Sequence, residues 1–183
     1  MIKRLGTLLI IFSLTLLTFI YLPLLQAYLP MEDKSVEGDY YINIPKIDAK
    51  AKIIDNVDSW KREEYEKALE KGVAKARGFD NFFFAHSSLP PWKMTRTNTP
   101  FLRLGELKNG DEIIIRKGGK DYVYIVESKS EVWSNEVGYV LENHLNYLIL
   151  QTCTPPGTDW KRLLIFAKQG LKPRVADTRG FLK

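Results

Sequence analysis

The chain contains a single cysteine, Cys153, placed where the apolar run 148–150 gives way to a Pro-Pro-Gly loop. This pattern predicts a strand, a sharp turn and a second strand over 162–167. A cysteine at the end of a strand is held rigidly yet reaches the rim of the domain, which suits a nucleophile that meets a bulky substrate. Arg162 opens the returning strand nine positions later, so the turn can bring its guanidinium beside the sulfur.

A histidine has the same kind of position as the cysteine. The run 81–86 is apolar on both faces and ends at His86, which predicts a strand that is buried on both sides and finishes at the rim. An ordinary thiol has a pKa of roughly 8.5 and an ordinary imidazole has one of roughly 6.5. At neutral pH such groups are therefore seldom present together as thiolate and imidazolium. A nearby imidazolium and guanidinium would stabilise the thiolate, the form that attacks a carbonyl carbon.

These three side chains could divide the work of acyl transfer between them. His86 can protonate a departing amine. Arg162 does not give up its proton, so its role would be to donate hydrogen bonds to substrate carbonyls or to the oxyanion of a tetrahedral intermediate. Cys153 would carry the acyl group as a thioester, which water resolves in a protease and an amine resolves in a transpeptidase. The chemistry of the residues leaves that choice open.

A free cysteine is more often a small buried hydrophobe than a nucleophile. His86 taken alone could equally be a structural histidine. The second histidine, His144, lies in the polar stretch 141–146, and we expect it to be solvated rather than catalytic. The turn chemistry, Arg162 and His86 together favour a reactive site over an inert cysteine.

Composition narrows the class of protein. A chain of 183 residues is long enough for one domain with a hydrophobic core and for an additional segment outside it. The net charge of +5 is scattered, and without an aromatic and basic pattern we expect no nucleic-acid partner. One cysteine excludes an intramolecular disulfide and a multi-cysteine metal site. We expect no cofactor and identify no metal ligands in the sequence, and whether a metal ion tunes a loop is left open.

The amino end predicts a membrane anchor. Residues 5–25 carry no charge, and a helix needs roughly 20 apolar residues to cross a bilayer. Lys3 and Arg4 precede this run, while Glu32 and Asp33 follow it within a mixed flank. The positive-inside bias therefore predicts a cytoplasmic amino end and an exported remainder.

A cleaved signal peptide is the competing interpretation of this segment. Such peptides have an apolar region of roughly 7–15 residues and a small-x-small cleavage site, whereas the run is longer here and 26–28 is a poor match. The predicted organisation is a cytoplasmic stub and transmembrane anchor over 1–26, a tether over 27–38, a catalytic domain over 39–170 and a polar, basic tail over 171–183.

The exported part is predicted to be all-β with minor α content. Ser59 could cap a helix over 60–71 whose apolar stripe packs on the core, and a brief helix is predicted over 136–141. Gly118 and Gly119 predict the turn of a hairpin. Several short strands without a βαβ rhythm indicate a sandwich or a closed barrel, and we favour the barrel. The strand signals cover 39–44, 51–54, 81–86, 111–116, 121–127, 131–133, 147–150 and 162–167.

Motifs distributed along the chain resemble those of the sortases, the membrane-anchored cysteine transpeptidases of bacterial surfaces. The resemblance covers roughly residues 39 to 169, and its segment from the cysteine to the arginine is fairly specific. The motifs that carry it, all in the family's order, are Thr152-Cys153, Pro155, Gly157, Arg162 to Ile165, Phe84 to His86, Ile44 to Ile47, and Pro100-Phe101 through Gly110-Asp111.

The resemblance implies an eight-stranded barrel in which His86, Cys153 and Arg162 form the catalytic set. It also implies a protein of the bacterial plasma membrane with its catalytic domain outside. The implied reaction cleaves an LPxTG-like sorting signal between Thr and Gly and transfers the acyl group to an amine of the cell wall or of a pilin. The chain has no LPxTG motif of its own, so it resembles the enzyme rather than its cargo.

Two alternatives remain beside this transpeptidase. One is a hydrolytic cysteine peptidase of the cell wall, which chain order weakens because papain-like enzymes place the cysteine before the histidine. The other is a non-catalytic anchored β-domain with an unreactive cysteine. The segment from Cys153 to Arg162 is most similar to the pilus-building sortases, but the chain lacks their Asp-Pro-aromatic lid and carboxyl-terminal membrane segment. A role in pilus assembly is therefore left open.

Overall fold

The computed structural model describes residues 2–28, 38–138 and 146–170. Helix α1 spans Ile2–Tyr28, and its segment Arg4–Leu22 has a mean hydropathy of 2.3 with none of it buried. This is the length and composition of a membrane span.

Several sequence predictions fall outside the described residues. These are residues 29–37 of the tether predicted over 27–38, the end of the helix predicted over 136–141, His144 and the tail over 171–183.

Eight strands close into a barrel in the order β1-β2-β3-β4-β7-β8-β6-β5. The predicted closed, all-β architecture with a few short helices is confirmed. The strands are β1 Tyr40–Ile44, β2 Ala49–Val57, β3 Val73–Ala76, β4 Phe82–Phe84, β5 Glu112–Lys117, β6 Lys120–Trp133, β7 Leu148–Thr154 and β8 Lys161–Gln169, and helix α2 is Arg62–Leu69. Two 3-10 turns, at Pro45–Ile47 and Leu104–Glu106, complete the described elements.

Strand direction decides which residues meet at each end of the barrel. Strands β2 and β3 pair in parallel, as do β4 and β7, and the other neighbours are antiparallel. The carboxyl ends of β4 and β7 and the amino end of β8 therefore share one end of the barrel, which we call the Cys153 end. Strand β1 begins with Tyr40 at the opposite end.

Strand β4 is buried on both faces, as its run of three phenylalanines predicts. Phe82, Phe83 and Phe84 are all buried. Tyr65 of α2 meets Phe84 edge to face with ring centroids 6.3 Å apart, so the helix covers one face of the strand while the other face joins the core. This strand can therefore hold the residue that follows it in a fixed place.

The structure corrects three details of the predicted elements. Helix α2 begins at Arg62 rather than at 60, and no side chain caps it. Asp58 instead accepts a hydrogen bond from the Trp60 backbone N–H through its side chain and one from Lys61 through its carbonyl, which makes a turn where Ser59 was expected to cap. The stretches predicted separately over 121–127 and 131–133 form one strand, β6. Strand β3, which is four residues long and lacks alternation, was missed.

Gly72 marks a close approach of two backbone segments between α2 and β3. Its φ is 151°, and a Cβ built on it would lie 2.3 Å from the carbonyl oxygen of Lys52 on β2. No side chain can replace the hydrogen here without moving one of the two segments.

The Gly72→Ala variant is expected to lose about 1–3 kcal/mol of the free energy of unfolding, because the new methyl group collides with the backbone of β2. Denaturant unfolding of the full chain in detergent measures this. Gly138→Ala is the control, since a Cβ there would meet nothing within 4 Å. Equal stability of the Gly72→Ala variant and the wild type would contradict the described contact.

Candidate active site

Cys153 lies near the carboxyl end of β7 and is half-buried. Side chains alternate along the strand, and its neighbour Thr152 is buried on the opposite face. The sulfur is therefore neither sealed in the core nor free in solvent. This position meets the first requirement for a strand-end nucleophile, which is access combined with a fixed backbone.

Arg162 is the direct cross-strand partner of Cys153 in the antiparallel pair of β7 and β8. Side chains at paired positions share a face of the sheet, with Cβ atoms about 4.5–5.5 Å apart. The Nη1 group of Arg162 donates hydrogen bonds to the carbonyl oxygens of Asp159 at 2.8 Å and Lys161 at 3.3 Å. Among the described residues Nε and Nη2 have no such acceptor, so they can donate to a ligand.

His86 follows β4, on the strand beside β7. The parallel register pairs Phe84 with Gln151, and two further residues along each strand lead to His86 and Cys153. The ladder continues past the end of β4, because the backbone N–H of Ala85 donates to the carbonyl of Gln151 at 3.2 Å. The structure thus brings all three of the predicted residues to the Cys153 end of the barrel.

A buried side-chain hydrogen bond locks this arrangement. The hydroxyl of Thr152 donates to the carbonyl oxygen of Ala85 at 2.8 Å. It joins the residue before Cys153 to the residue before His86, and it lies in the interior where water does not compete. The relative height of the imidazole and the sulfur is therefore set by the pairing of two strands.

The loop between β7 and β8 is tied to the segment after His86. Its Thr154-Pro155 peptide bond is cis, and Gly157 has a φ of 89°. The backbone N–H of Gly157 donates to Ser88 Oγ. Trp160 at the end of this loop is exposed, as is Trp133 at the end of β6, and the two indoles give the Cys153 end an apolar rim.

One residue close to His86 was not singled out from the sequence. Glu66 of α2 places Oε2 3.5 Å from the imidazole Nε2. The apolar stripe of the helix indicated which face packs on the core, but no local pattern indicates that β4 lies beneath it. The one indication in the sequence was that the carboxylate of Glu66 adjoins the apolar stripe of α2.

Burial and charge act against each other on the two titratable groups of the site. Burial lowers the pKa of His86 below its ordinary value of 6.5, and the charge of Glu66 works in the opposite direction. Burial raises the pKa of the Cys153 thiol above 9.0, Arg162 opposes that rise, and Asp159 and Glu66 add to it. At neutral pH the thiol and the neutral imidazole therefore predominate, and the thiolate with imidazolium is a minor form.

The described residues contain no group of three or more His, Cys, Asp or Glu side chains arranged to hold a metal ion.

Comparison with known proteins identifies the family. A family model described as the sortase domain matches residues 42–170. The chain belongs to the sortase family. A search of curated protein sequences gives no significant match.

Solved sortases have the same fold. Sortase C1 from Streptococcus suis is 25% identical with a TM-score of 0.59, and the match covers 76% of this chain and 75% of that one. The lid mutant of sortase A from Corynebacterium diphtheriae is 25% identical with a TM-score of 0.56, over 72% and 69%. Sortase C from Clostridium perfringens, solved with the C-terminal cell wall sorting motif, is 25% identical with a TM-score of 0.55, over 71% and 69%. Membership of this family supports a cell-wall sorting transpeptidase as the general activity.

The reactivity of this sortase's thiol is expected to depend on Arg162. Alkylation by iodoacetamide reports on Cys153 alone, since the chain has one cysteine. The wild-type rate should rise with a midpoint above pH 9.0, because burial raises the thiol pKa. Arg162→Gln should move that midpoint higher, because the charge that opposes the rise is gone.

Lys161→Gln is the matched control for this measurement. Lys161 precedes Arg162 on β8 and points to the other face of the sheet, so its loss should move the midpoint less. A lower alkylation midpoint in the Arg162→Gln variant than in the wild type would contradict the electrostatic role assigned to the guanidinium.

Proposed function

We propose that the chain is a sortase-type cysteine transpeptidase that cleaves an LPxTG-like sorting signal between Thr and Gly through a thioester on Cys153. The acyl group then passes to an amine of the cell wall or of another surface protein. His86, Cys153 and Arg162 are the catalytic residues of this proposal.

The first half of the reaction forms the thioester. The Cys153 thiolate attacks the carbonyl carbon of the Thr residue, and the oxygen gains negative charge. Nε and Nη2 of Arg162 donate hydrogen bonds to this oxyanion or to a neighbouring substrate carbonyl. As the carbon–nitrogen bond breaks, the His86 imidazolium gives its proton to the departing Gly amine. The products are the acyl-enzyme, a free amine and a neutral imidazole.

The second half transfers the acyl group. A neutral amine attacks the thioester carbonyl, and His86 accepts the proton that the new amide nitrogen loses. The carbon–sulfur bond breaks, and the thiolate leaves beside the regenerated imidazolium. The pair is then ready for another sorting signal.

The observation that carries this proposal is the ladder that joins the three residues. Cys153 pairs directly with Arg162 across β7 and β8, and the hydroxyl of Thr152 ties the same strand to Ala85, the neighbour of His86. Cys153 and Arg162 lie on strands and His86 lies two residues past the end of one, so no long loop separates any of the three groups from the barrel, as a preorganised site requires.

The exposure of Cys153 argues against a non-catalytic domain but does not distinguish a hydrolase from a transpeptidase. A non-catalytic domain would have its cysteine sealed among apolar side chains, whereas Cys153 is half-buried. A hydrolase would share the thioester and differ only in accepting water. The distinction between hydrolase and transpeptidase therefore depends on the acceptor, and an experiment with amines separates the two.

Helix α1 supports a membrane location for this enzyme. Its apolar span ends at Leu22, and β1 begins at Tyr40. We place α1 across the bacterial plasma membrane with its amino end in the cytoplasm, the tether from the end of α1 to residue 38, and residues 39–170 as the external catalytic domain. Sorting signals of exported proteins and amines outside the cell would then be within its reach.

The full chain in detergent, mixed with a small library of sorting peptides, should release the peptide fragment that begins with Gly, and an added peptide amine should accelerate this turnover. Chromatography of the products measures both. Cys153→Ala should abolish cleavage because no nucleophile remains.

Turnover retained in the Cys153→Ala variant would remove the cysteine from the mechanism. Wild-type cleavage that ends only in the free acid at every amine concentration would favour the hydrolase instead. Thermal unfolding of Cys153→Ala serves as the control, and the variant should unfold at the temperature of the wild type.

The pH profile of kcat/KM for the sorting peptide should be a broad bell. The productive pair is thiolate with imidazolium. Below the pKa of His86 the thiolate declines as pH falls, and above the pKa of Cys153 the imidazolium is lost as pH rises. Because burial lowers the first pKa and raises the second, the acid limb should lie below pH 6.5 and the alkaline limb above pH 9.0. An acid limb above 6.5 or an alkaline limb below 9.0 would contradict the assignment.

A further inference from the structure

Helix α2 lies over the strand that leads to the catalytic histidine. Tyr65 packs edge to face on Phe84, two residues before His86, and the neighbouring turn buries Ala68 and Leu69. Glu66 adjoins this buried stripe, so its side chain emerges at the edge of the contact between helix and strand rather than on the solvent face.

The carboxylate of Glu66 contacts the imidazole. Oε2 of Glu66 lies 3.5 Å from Nε2 of His86, and the two side chains are 39% and 19% exposed. The other oxygen, Oε1, lies 3.7 Å from Nε of Arg62 one turn earlier on the helix. Glu66 is thus oriented from both sides, and its contact with the histidine, at the long end of hydrogen-bond distance, becomes an ion pair when the imidazole is protonated.

Helix α2 is itself fixed to the barrel by a separate cluster of charges. Arg77, which follows β3, donates to Glu64 at 2.7 Å and to Asp58 at 3.2 Å. The Glu64 carboxylate also accepts the backbone N–H of Asp58 at 3.0 Å. The first turn of the helix is therefore held in place, and Glu66 reaches His86 from a rigid element.

From these contacts we propose that Glu66 is a positioning residue for His86: its carboxylate holds the imidazole edge and stabilises the imidazolium that protonates the departing amine. This inference deepens the proposed function and rests on it for its catalytic consequence. Glu66 does not touch the reacting atoms, and it acts only through the histidine.

The charges around His86 explain why such a residue is needed. Two carboxylates act on the histidine, Glu66 on α2 and Glu70 directly after the helix. Burial lowers the pKa of His86, and among the charges that oppose this effect Glu66 comes first and Glu70 after it. Without Glu66, burial would be less opposed and the imidazolium would form only at lower pH.

The same carboxylate also acts on the sulfur, but more weakly. Among nearby charges, Arg162 has the largest effect on the pKa of Cys153 and lowers it. Asp159 and then Glu66 raise that pKa by smaller amounts. The population of thiolate with imidazolium depends on the difference between the two pKa values. Since Glu66 touches the imidazole and not the thiol, its net effect is to increase the productive pair.

The test measures the pKa of His86 by NMR in the full chain in detergent. The chain has two histidines, so His144→Gln leaves the His86 imidazole as the only such signal. In this background Glu66→Gln should lower the His86 pKa, Glu70→Gln should lower it by less, and Glu63→Gln, an exposed change on the same helix, should leave it in place.

The second readout is the pH dependence of kcat/KM for a sorting peptide. Glu66→Gln should shift the acid limb to lower pH and reduce the plateau roughly two- to fivefold, the range that a partly exposed ion pair supplies. Glu63→Gln should do neither. A purely structural role of Glu66 would lower the melting temperature and leave the acid limb where it is.

The outcomes separate this inference from the proposed function. An unchanged His86 pKa in Glu66→Gln, or an equal fall in Glu63→Gln, overturns the positioning role. If the His86 pKa falls in Glu66→Gln but the wild-type chain shows no turnover, the interaction between Glu66 and His86 is supported and the proposed transpeptidase activity is contradicted.

Discussion

The parallel pairing of β4 with β7 is the constraint on which the site depends. His86 and Cys153 are far apart in sequence, but His86 lies two residues past the end of β4 and Cys153 lies near the end of β7, the strand paired with it. The register of that single pair decides whether the imidazole is level with the sulfur, and the buried bond from Thr152 to Ala85 fixes the register at the rim. A slip by one residue would turn one of the two side chains to the wrong face.

In this site, burial and two nearby charges together determine how readily Cys153 and His86 ionise. Burial disfavours both the thiolate and the imidazolium, so the reactive pair is scarce in the resting protein. Arg162 and Glu66 each oppose burial at one member of the pair. Their charges lie on β8, which pairs with β7, and on α2, which packs on β4. A carbonyl that enters between them meets a prearranged field rather than solvent.

Local sequence signals predicted the parts of this arrangement that depend on local chemistry. The Pro-Pro-Gly loop predicted the return of Arg162 towards Cys153, and the three phenylalanines predicted a strand buried on both faces. Packing between distant segments left no such signal. The stripe of α2 did not reveal which strand it covers, so Glu66 was missed. Strand β3 owes its pairing to neighbours on both sides, and Ser59 lost the expected capping role because Asp58 makes the turn first.

The central claim is that the strand ladder places His86 beside Cys153, and proximity cross-linking tests it most directly. His86→Cys in the full chain yields a protein with two cysteines, because the natural sequence has one. Treated with a short thiol-to-thiol cross-linker, this variant should form an intramolecular bridge that mass spectrometry of a proteolytic digest assigns to positions 86 and 153. Two separately modified thiols, or bridges found only between different molecules, would contradict the account.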